Sequence, residues 1–204
     1  MSKIVVALVG KAGAGKDTVA KELATANPHW HMIVSCTTRP KREGEKEGVN
    51  YYYLTDEEFQ NKMEQGDLLE ATCFNGWHYG TLKSSLHDGI NIGVFNPEGF
   101  DSLINFEDEE DGIILFGYLI TASDKIRMLR QLNRETTPDV TEICRRYFAD
   151  KEDFEMIDAL QNDFYGGYGY FDGEFLNENL DDLNNAVKKI SDIVNTTLDL
   201  GHKP

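Results

Sequence analysis

The stretch Ile4-Val5-Val6-Ala7-Leu8-Val9-Gly10-Lys11-Ala12-Gly13-Ala14-Gly15-Lys16-Asp17-Thr18 runs from six consecutive apolar residues into a glycine-rich turn of the form G-x-x-x-x-G-K. An apolar run without alternation suits a strand buried on both faces, as in a parallel sheet. Glycines at 10, 13 and 15 let the backbone curl so that successive N–H groups converge on phosphate oxygens, and Lys16 brings a mobile charge to the β and γ phosphates. Val19, Ala20, Leu23 and Ala24 then recur at helical spacing. The helix they predict aims the positive end of its dipole at the loop. A glycine-rich turn can join a strand to a helix and bind nothing. With strand, loop, lysine and helix in register, the pattern instead predicts a nucleotide-phosphate site of Gly10, Lys11, Ala12, Gly13, Ala14, Gly15, Lys16, Asp17 and Thr18.

Asp17 departs from the pattern, because a serine or threonine hydroxyl ordinarily faces the metal there. Its carboxylate either takes Mg²⁺, directly or through water, or caps the helix. Thr18 offers a hydroxyl one position later, so Asp17 and Thr18 are both candidate metal ligands.

The chain has 204 residues, 40% of them hydrophobic, enough for one compact α/β unit with small insertions. Thirty-six acidic residues against 20 basic give a net charge of −16. That balance argues against nucleic acid or an anionic membrane as partner. A small anionic substrate must then be drawn by a local basic cluster. Cys36, Cys73 and Cys144 are odd in number and lack metal-type spacing, which fits a reducing, cytoplasmic setting. The apolar run after Lys3 is too short for a signal-peptide core or a membrane span. His29 and His31 flank Trp30 and read as surface or helix-end residues.

Four further segments read as buried strands: Met32-Ile33-Val34, Ile90 to Phe95, Ile113 to Ile120, and Glu174-Phe175-Leu176. They alternate with helical patterns over 17–26, 99–105, 123–133, 139–161 and 180–198. Five strands in this alternation predict a parallel sheet covered by helices on both faces, with ligands at the carboxyl ends of the strands. Tyr51-Tyr52-Tyr53-Leu54 and Phe74-Asn75-Gly76-Trp77-His78-Tyr79 have a different texture and predict an inserted β-rich lobe. The helix between them starts with a capping box, Thr55 with Glu58, and a hydrophobic staple, Leu54 on Phe59. Glu107-Asp108-Glu109-Glu110-Asp111 reads as a solvated loop, and Tyr165 to Tyr170 as a Gly/Tyr-rich loop before the last strand.

The required basic cluster lies in Ser35-Cys36-Thr37-Thr38-Arg39-Pro40-Lys41-Arg42, directly after a strand end. Arginine suits a phosphate because its planar fork donates two parallel hydrogen bonds. Such loops are also common on surfaces, so the cluster alone leaves both readings open.

The wider pattern is more specific. Ser35 to Arg42, Gly44-Glu45, Gly48 followed by Tyr51, Leu69-Glu70 and Tyr79-Gly80-Thr81 closely resemble the guanylate kinase family in order and nearly in spacing. The resemblance is strong over the phosphate loop and residues 35–86, and weaker elsewhere. It implies a three-layer P-loop NTPase fold with a five-stranded parallel sheet. The core would comprise 1–34, 87–122 and 162–204, with a nucleoside monophosphate (NMP) lobe at 35–86 and a helical lid at 123–161. It also implies ATP-dependent phosphorylation of GMP or dGMP with Mg²⁺. Arg39, Arg42, Tyr51 and Tyr79 would hold the acceptor phosphate, Glu70 would read the guanine edge, and Ser35 and Thr81 would donate to O6 or N7. Arg134 with Arg145 or Arg146 would be lid arginines that, with Lys16, neutralise charge on the transferring group. Asn177, in Asn177-Glu178-Asn179-Leu180, would contact the adenine edge or simply end the last strand.

Two features depart from the family. Val94, Asn96 and Pro97 stand where acidic residues usually follow the strand, so Asp17 is expected to compensate for the lost carboxylate. Two alternatives remain at this level: a kinase for another deoxynucleoside monophosphate, or a catalytically silent module that binds phosphorylated peptides. The expected partners are small nucleotides, with neither nucleic acid nor membrane, and either a monomer or a homodimer fits.

Overall fold

The apolar run becomes β1 (Lys3–Val9), the middle strand of a five-stranded parallel sheet in the computed structural model. The structure describes residues 3–42, 44–74, 76–107, 113–134, 136–163 and 170–199, the side chains of 74, 107 and 156–163 excepted. Residues 108–111 of the acidic run and 165–169 of the Gly/Tyr-rich segment lie outside these.

After the phosphate loop come α1 (Lys16–Ala26) and β2 (His31–Met32). The inserted segment then contributes β3 (Cys36–Thr37), β4 (Tyr52–Tyr53), α2 (Asp56–Glu64), β5 (Leu68–Phe74) and β6 (Trp77–Leu82). The chain returns through β7 (Gly89–Phe95), α3 (Pro97–Glu107), β8 (Ile114–Thr121), α4 (Asp124–Asn133), α5 (Val140–Asp163), β9 (Gly173–Leu176) and α6 (Leu180–Asp199). The main sheet runs β2-β7-β1-β8-β9. The expected strands and helices are all present.

Side chains of a strand alternate between faces, so β1 feeds two cores at once. Ile4, Val6 and Leu8 pack with Val19, Ala20 and Leu23 of α1 and Ala186, Ile190 and Val194 of α6. Val5, Ala7 and Val9 pack with Phe100 and Leu103 of α3 and Phe154 of α5. Each side chain buried in this way is worth about 1.5–3 kcal/mol. A polar residue anywhere along β1 would therefore damage one core or the other.

One strand is shorter than its sequence predicts. The run from Met32 to Val34 gives a ladder only at His31–Met32, with Met32 exposed, and Ile33 adds a single bond to the Ile92 carbonyl. It lies at the sheet edge and has one neighbour, β7, to order it.

The insertion forms its own four-stranded sheet, β4-β3-β6-β5. Its helix α2 begins with the expected capping box: the Glu58 N–H donates to Thr55 Oγ1 at 3.1 Å, and the Thr55 N–H to Glu58 Oε2 at 2.7 Å. Leu54 and the fully buried Phe59 share one small core, as the staple requires. Where the chain re-enters the main sheet, buried Asn91 donates to the carbonyls of Ile4 and His87 and accepts from the His87 N–H, fixing that junction. Among the described residues no helix is long and apolar enough to cross a membrane.

Tyr118, at the centre of β8, is wholly buried, and its hydroxyl has no hydrogen-bond partner among the described residues. Burial, followed by the charge of Asp172, pushes the phenol well above its ordinary pKa. Removing an unpaired buried hydroxyl while keeping the ring should help. Tyr118→Phe is expected to stabilise the fold by about 1 kcal/mol, read as a rise of about 2–4 °C in thermal denaturation.

Candidate functional site

The loop after β1 curls because two of its glycines occupy conformations and spaces that other residues resist. Gly13 has φ 80°, and a Cβ there would lie 2.5 Å from the Arg127 carbonyl oxygen on α4. Gly15 has φ 92°, and a Cβ there would lie 2.4 Å from Asn177 Nδ2. Gly15 is also the N-cap of α1, and no side chain caps that helix. Asp17 is therefore not the cap; it sits exposed in the first turn. Thr18 is exposed beside it.

Lys16 Nζ donates back to the carbonyls of Gly10 at 2.6 Å and Lys11 at 3.3 Å. Burial lowers its pKa, and the negative charges of Asp17 and Asp150 oppose that shift. An arriving phosphate would favour the charged form further.

Three residues without an assigned sequence role grip the loop. Arg127 Nε donates to the Ala12 carbonyl at 3.0 Å, and Arg130 Nη1 to those of Gly13 at 3.3 Å and Ala14 at 3.2 Å. Asp150 Oδ2 accepts from the Ala12 N–H at 2.7 Å. The signal for the arginines was helical spacing: 127, 130 and 134 fall on one face of α4. Asp150 had no comparable signal. Asn177 does two things, since its N–H bonds Thr121 to extend β9 and its Nδ2 donates to the Ala14 carbonyl at 2.8 Å.

In the inserted lobe, Arg39, Tyr51 and Tyr79 come together as expected. Arg39 lies 5.6 Å from the Tyr51 ring, and the Tyr51 and Tyr79 rings are 6.0 Å apart. Burial raises the Tyr51 pKa, and the charges of Tyr79 and Asp17 add to the rise. Glu45 holds Arg39 by two contacts, at 2.8 and 3.1 Å. The same carboxylate accepts from the Arg42 N–H and the Tyr53 hydroxyl, each at 2.8 Å. These bonds, led by Arg39, hold its pKa down at about 2. Burial, then the bond to Glu45, pushes Tyr53 up to about 12.

The Arg42 side chain points elsewhere. It lines a cavity of about 330 Å³ with Gln131, Arg134, Asp139, Glu142 and Arg146. Arg42 and Arg134 thus meet, but the second lid arginine at this cavity is Arg146 and not Arg145. Both donate to Glu142, Arg145 at 2.7 Å and Arg146 at 2.8 Å, from adjacent positions that a helix turns in different directions.

In the inserted sheet Glu70 stands opposite Thr81, and Ser35 immediately precedes β3, whose Cys36 pairs with Gly80 of β6. Thr81 does not present a free donor, because its hydroxyl is committed to Glu70 Oε1 at 2.8 Å. It orients the carboxylate instead. Glu70 is 9% exposed, and burial raises its pKa to about 7 despite the Thr81 bond, with Glu98 adding to the rise. Gly99 leaves room for it, since a Cβ there would lie 3.1 Å from Glu70 Oε2. Asn96 accepts from the Gly99 N–H at 2.9 Å, so the residue replacing an acid starts α3 next to Glu70.

Comparison with known proteins fits this arrangement. A family model described as guanylate kinase matches residues 1–94. The guanylate kinase of Prochlorococcus marinus (strain MIT 9312) is 30% identical over 197 residues, covering 92% of this chain and 96% of that one. The chain belongs to the guanylate kinase family. Within that family, the Thermotoga maritima guanylate kinase is 42% identical over 86 residues, an alignment spanning 42% of either chain. A guanylate kinase structure from Anaplasma phagocytophilum shares the fold, with a TM-score of 0.65 at 21% identity over 96% of this chain and 86% of that one.

The Glu45 bonds set a pH dependence. Its pKa falls from an ordinary 4.5 to about 2, so its contribution to folding is complete above about 4.5 and lost as pH falls through about 2. NMR titration should find the Glu45 carboxyl midpoint near 2, and Arg39→Ala should return it towards the ordinary value.

Proposed function

We propose that this guanylate kinase family member transfers the γ-phosphoryl group of ATP to GMP or dGMP. The observation that carries the reading is that one chain builds two half-sites. One is a phosphate loop held with Lys16, and the other is the Arg39, Tyr51 and Tyr79 cluster in the lobe that also carries Glu70. A silent peptide-binding module would have no use for the first half.

ATP phosphates would lie along Gly10 to Thr18, with Asn177 supporting the loop beneath. Arg39, Tyr51 and Tyr79 would hold the acceptor phosphate, joined by Arg42 from the neighbouring cavity once the lobe closes, and leave one oxygen aimed at the γ-phosphorus. Near-attack placement of this kind replaces a chance encounter with a fixed geometry. The acceptor phosphate is already ionised, so no general base is needed. Lys16, Arg134 and Arg146 would stabilise charge on the transferring group, the main catalytic term in this chemistry. Closure of the lobe at 35–86 and the lid at 123–161 would exclude water from the reaction.

Among the described residues no group of three or more His, Cys, Asp or Glu side chains could hold a metal by itself. Mg²⁺ keeps waters and phosphate oxygens as most of its ligands, so one or two protein oxygens suffice. Asp17 and Thr18, exposed at the start of α1, fit that need. Asp17 would also supply the charge that Asn96 lacks. Bound there, the ion neutralises the β and γ phosphate oxygens.

Glu70 would accept from guanine N1–H and the 2-amino group, a contact adenine cannot reproduce. In a nucleotide panel GMP and dGMP should be the preferred acceptors, and Lys16→Ala should lower kcat by about 10²–10³-fold. Preference for dTMP or dCMP would overturn the assignment. A neutral Glu70 loses one acceptor, so KM for GMP should climb as pH falls below about 7. Glu70→Gln should lower kcat/KM for GMP by about 10²-fold or more and flatten that pH profile.

A further inference from the structure

Ala12 has both of its backbone polar groups taken by the helices expected to form the lid. Its N–H donates to Asp150 on α5 at 2.7 Å, and its carbonyl accepts from Arg127 on α4 at 3.0 Å. The same Arg127 bonds Asp150 at 2.7 Å and Asp124 at 2.8 Å, and the Tyr147 hydroxyl donates to Asp124 at 2.7 Å. Arg127 is only 2% exposed, and its guanidinium lies 5.6 Å from the Tyr147 ring. A guanidinium this deeply buried favours a fixed geometry, because losing a carboxylate partner would leave buried charge poorly compensated.

We propose that Asp150 and Arg127 form a latch through which the lid helices set the conformation of the phosphate loop. Neither residue touches the donor in this scheme; both are positioning residues for it. The latch is continuous with the reactive groups at each end. The loop that starts at Ala12 carries Lys16, α4 leads to Arg134, and α5 bears Arg146 one turn before Asp150. Holding Ala12 therefore fixes the donor cradle and the lid arginines in one register. The contact of Gly13 with the α4 backbone at Arg127 tightens the same joint. A second effect runs through charge, since Asp150 favours the protonated form of Lys16.

The latch rests on the assignment of ATP to the phosphate loop, and the test separates the two. ATP affinity is measured by calorimetry, Ala12 amide exchange by NMR without nucleotide, and KM for GMP by steady-state assay. Asp150→Ala should speed Ala12 exchange and weaken ATP by about tenfold, one hydrogen bond's worth, with KM for GMP changed less than about twofold. Asp150→Asn keeps an oxygen able to accept from Ala12 and should recover most of the ATP affinity. Three outcomes overturn the latch. One is unchanged Ala12 exchange and ATP affinity in Asp150→Ala. Another is equal weakening of ATP and GMP. The third is tighter ATP binding, which would make the carboxylate a competitor of phosphate. If Asp150→Ala does not fold, Arg127→Lys replaces it, because one ammonium cannot bridge both carboxylates and the Ala12 carbonyl. ATP should weaken and GMP should not; equal ATP affinity overturns the latch. Slow Ala12 exchange in a wild-type protein that binds no ATP would instead overturn the donor assignment and leave the latch standing.

Discussion

A backbone that turns its N–H groups inward must turn its carbonyls outward, and those carbonyls need donors. From Gly10 to Ala14 every carbonyl of the loop has one. Lys16 serves Gly10 and Lys11, Arg127 serves Ala12, Arg130 serves Gly13 and Ala14, and Asn177 also serves Ala14. These donors come from α1, from α4 and from the end of β9. The parallel sheet brings those three places to one edge, at the carboxyl ends of β1, β8 and β9. The architecture can be understood as the means of supplying donors to five carbonyls.

Charge imposes a second condition. A chain with net charge −16 has to attract phosphate through a few cations, and several of its arginines are paired beforehand. Glu45 holds Arg39, Glu142 holds Arg145 and Arg146, and Asp124 with Asp150 hold Arg127. An internal carboxylate keeps a long side chain in place at low entropic freedom, so less is lost when a phosphate arrives. The Arg127 pairs differ in setting, because that guanidinium is only 2% exposed.

What the sequence revealed and what it concealed follow from the range of the interactions. The strand and the glycine loop are encoded within fifteen consecutive positions, the helix pattern follows directly, and the capping box at Thr55 and Glu58 takes four. Features of that kind were legible. Thr81 was expected to face the substrate, yet it turns to Glu70 across a strand pair, a partner eleven residues away. Asp150 meets Ala12 across 138 residues and carries no local signal at all. Choosing between Arg145 and Arg146 needed the rotation of α5 relative to the cavity, which two neighbouring arginines do not disclose. Asn96 could be read as a missing charge, but its task as the cap of α3 required knowing where that helix begins.

Asn177 adds a consequence for the order in which the molecule can mature on the ribosome. The phosphate loop is made well before its last donor, which stands 163 residues after Ala14 and is placed only when β9 has emerged and paired with β8. β1 waits in the same way, since both of its neighbours in the sheet come from residues 89–95 and 114–121. Contacts of such long sequence separation form late, after their loop-closure entropy has been overcome. The nascent chain therefore carries a visible nucleotide motif long before it holds a finished cradle, which waits for β9 and the Asn177 that follows it.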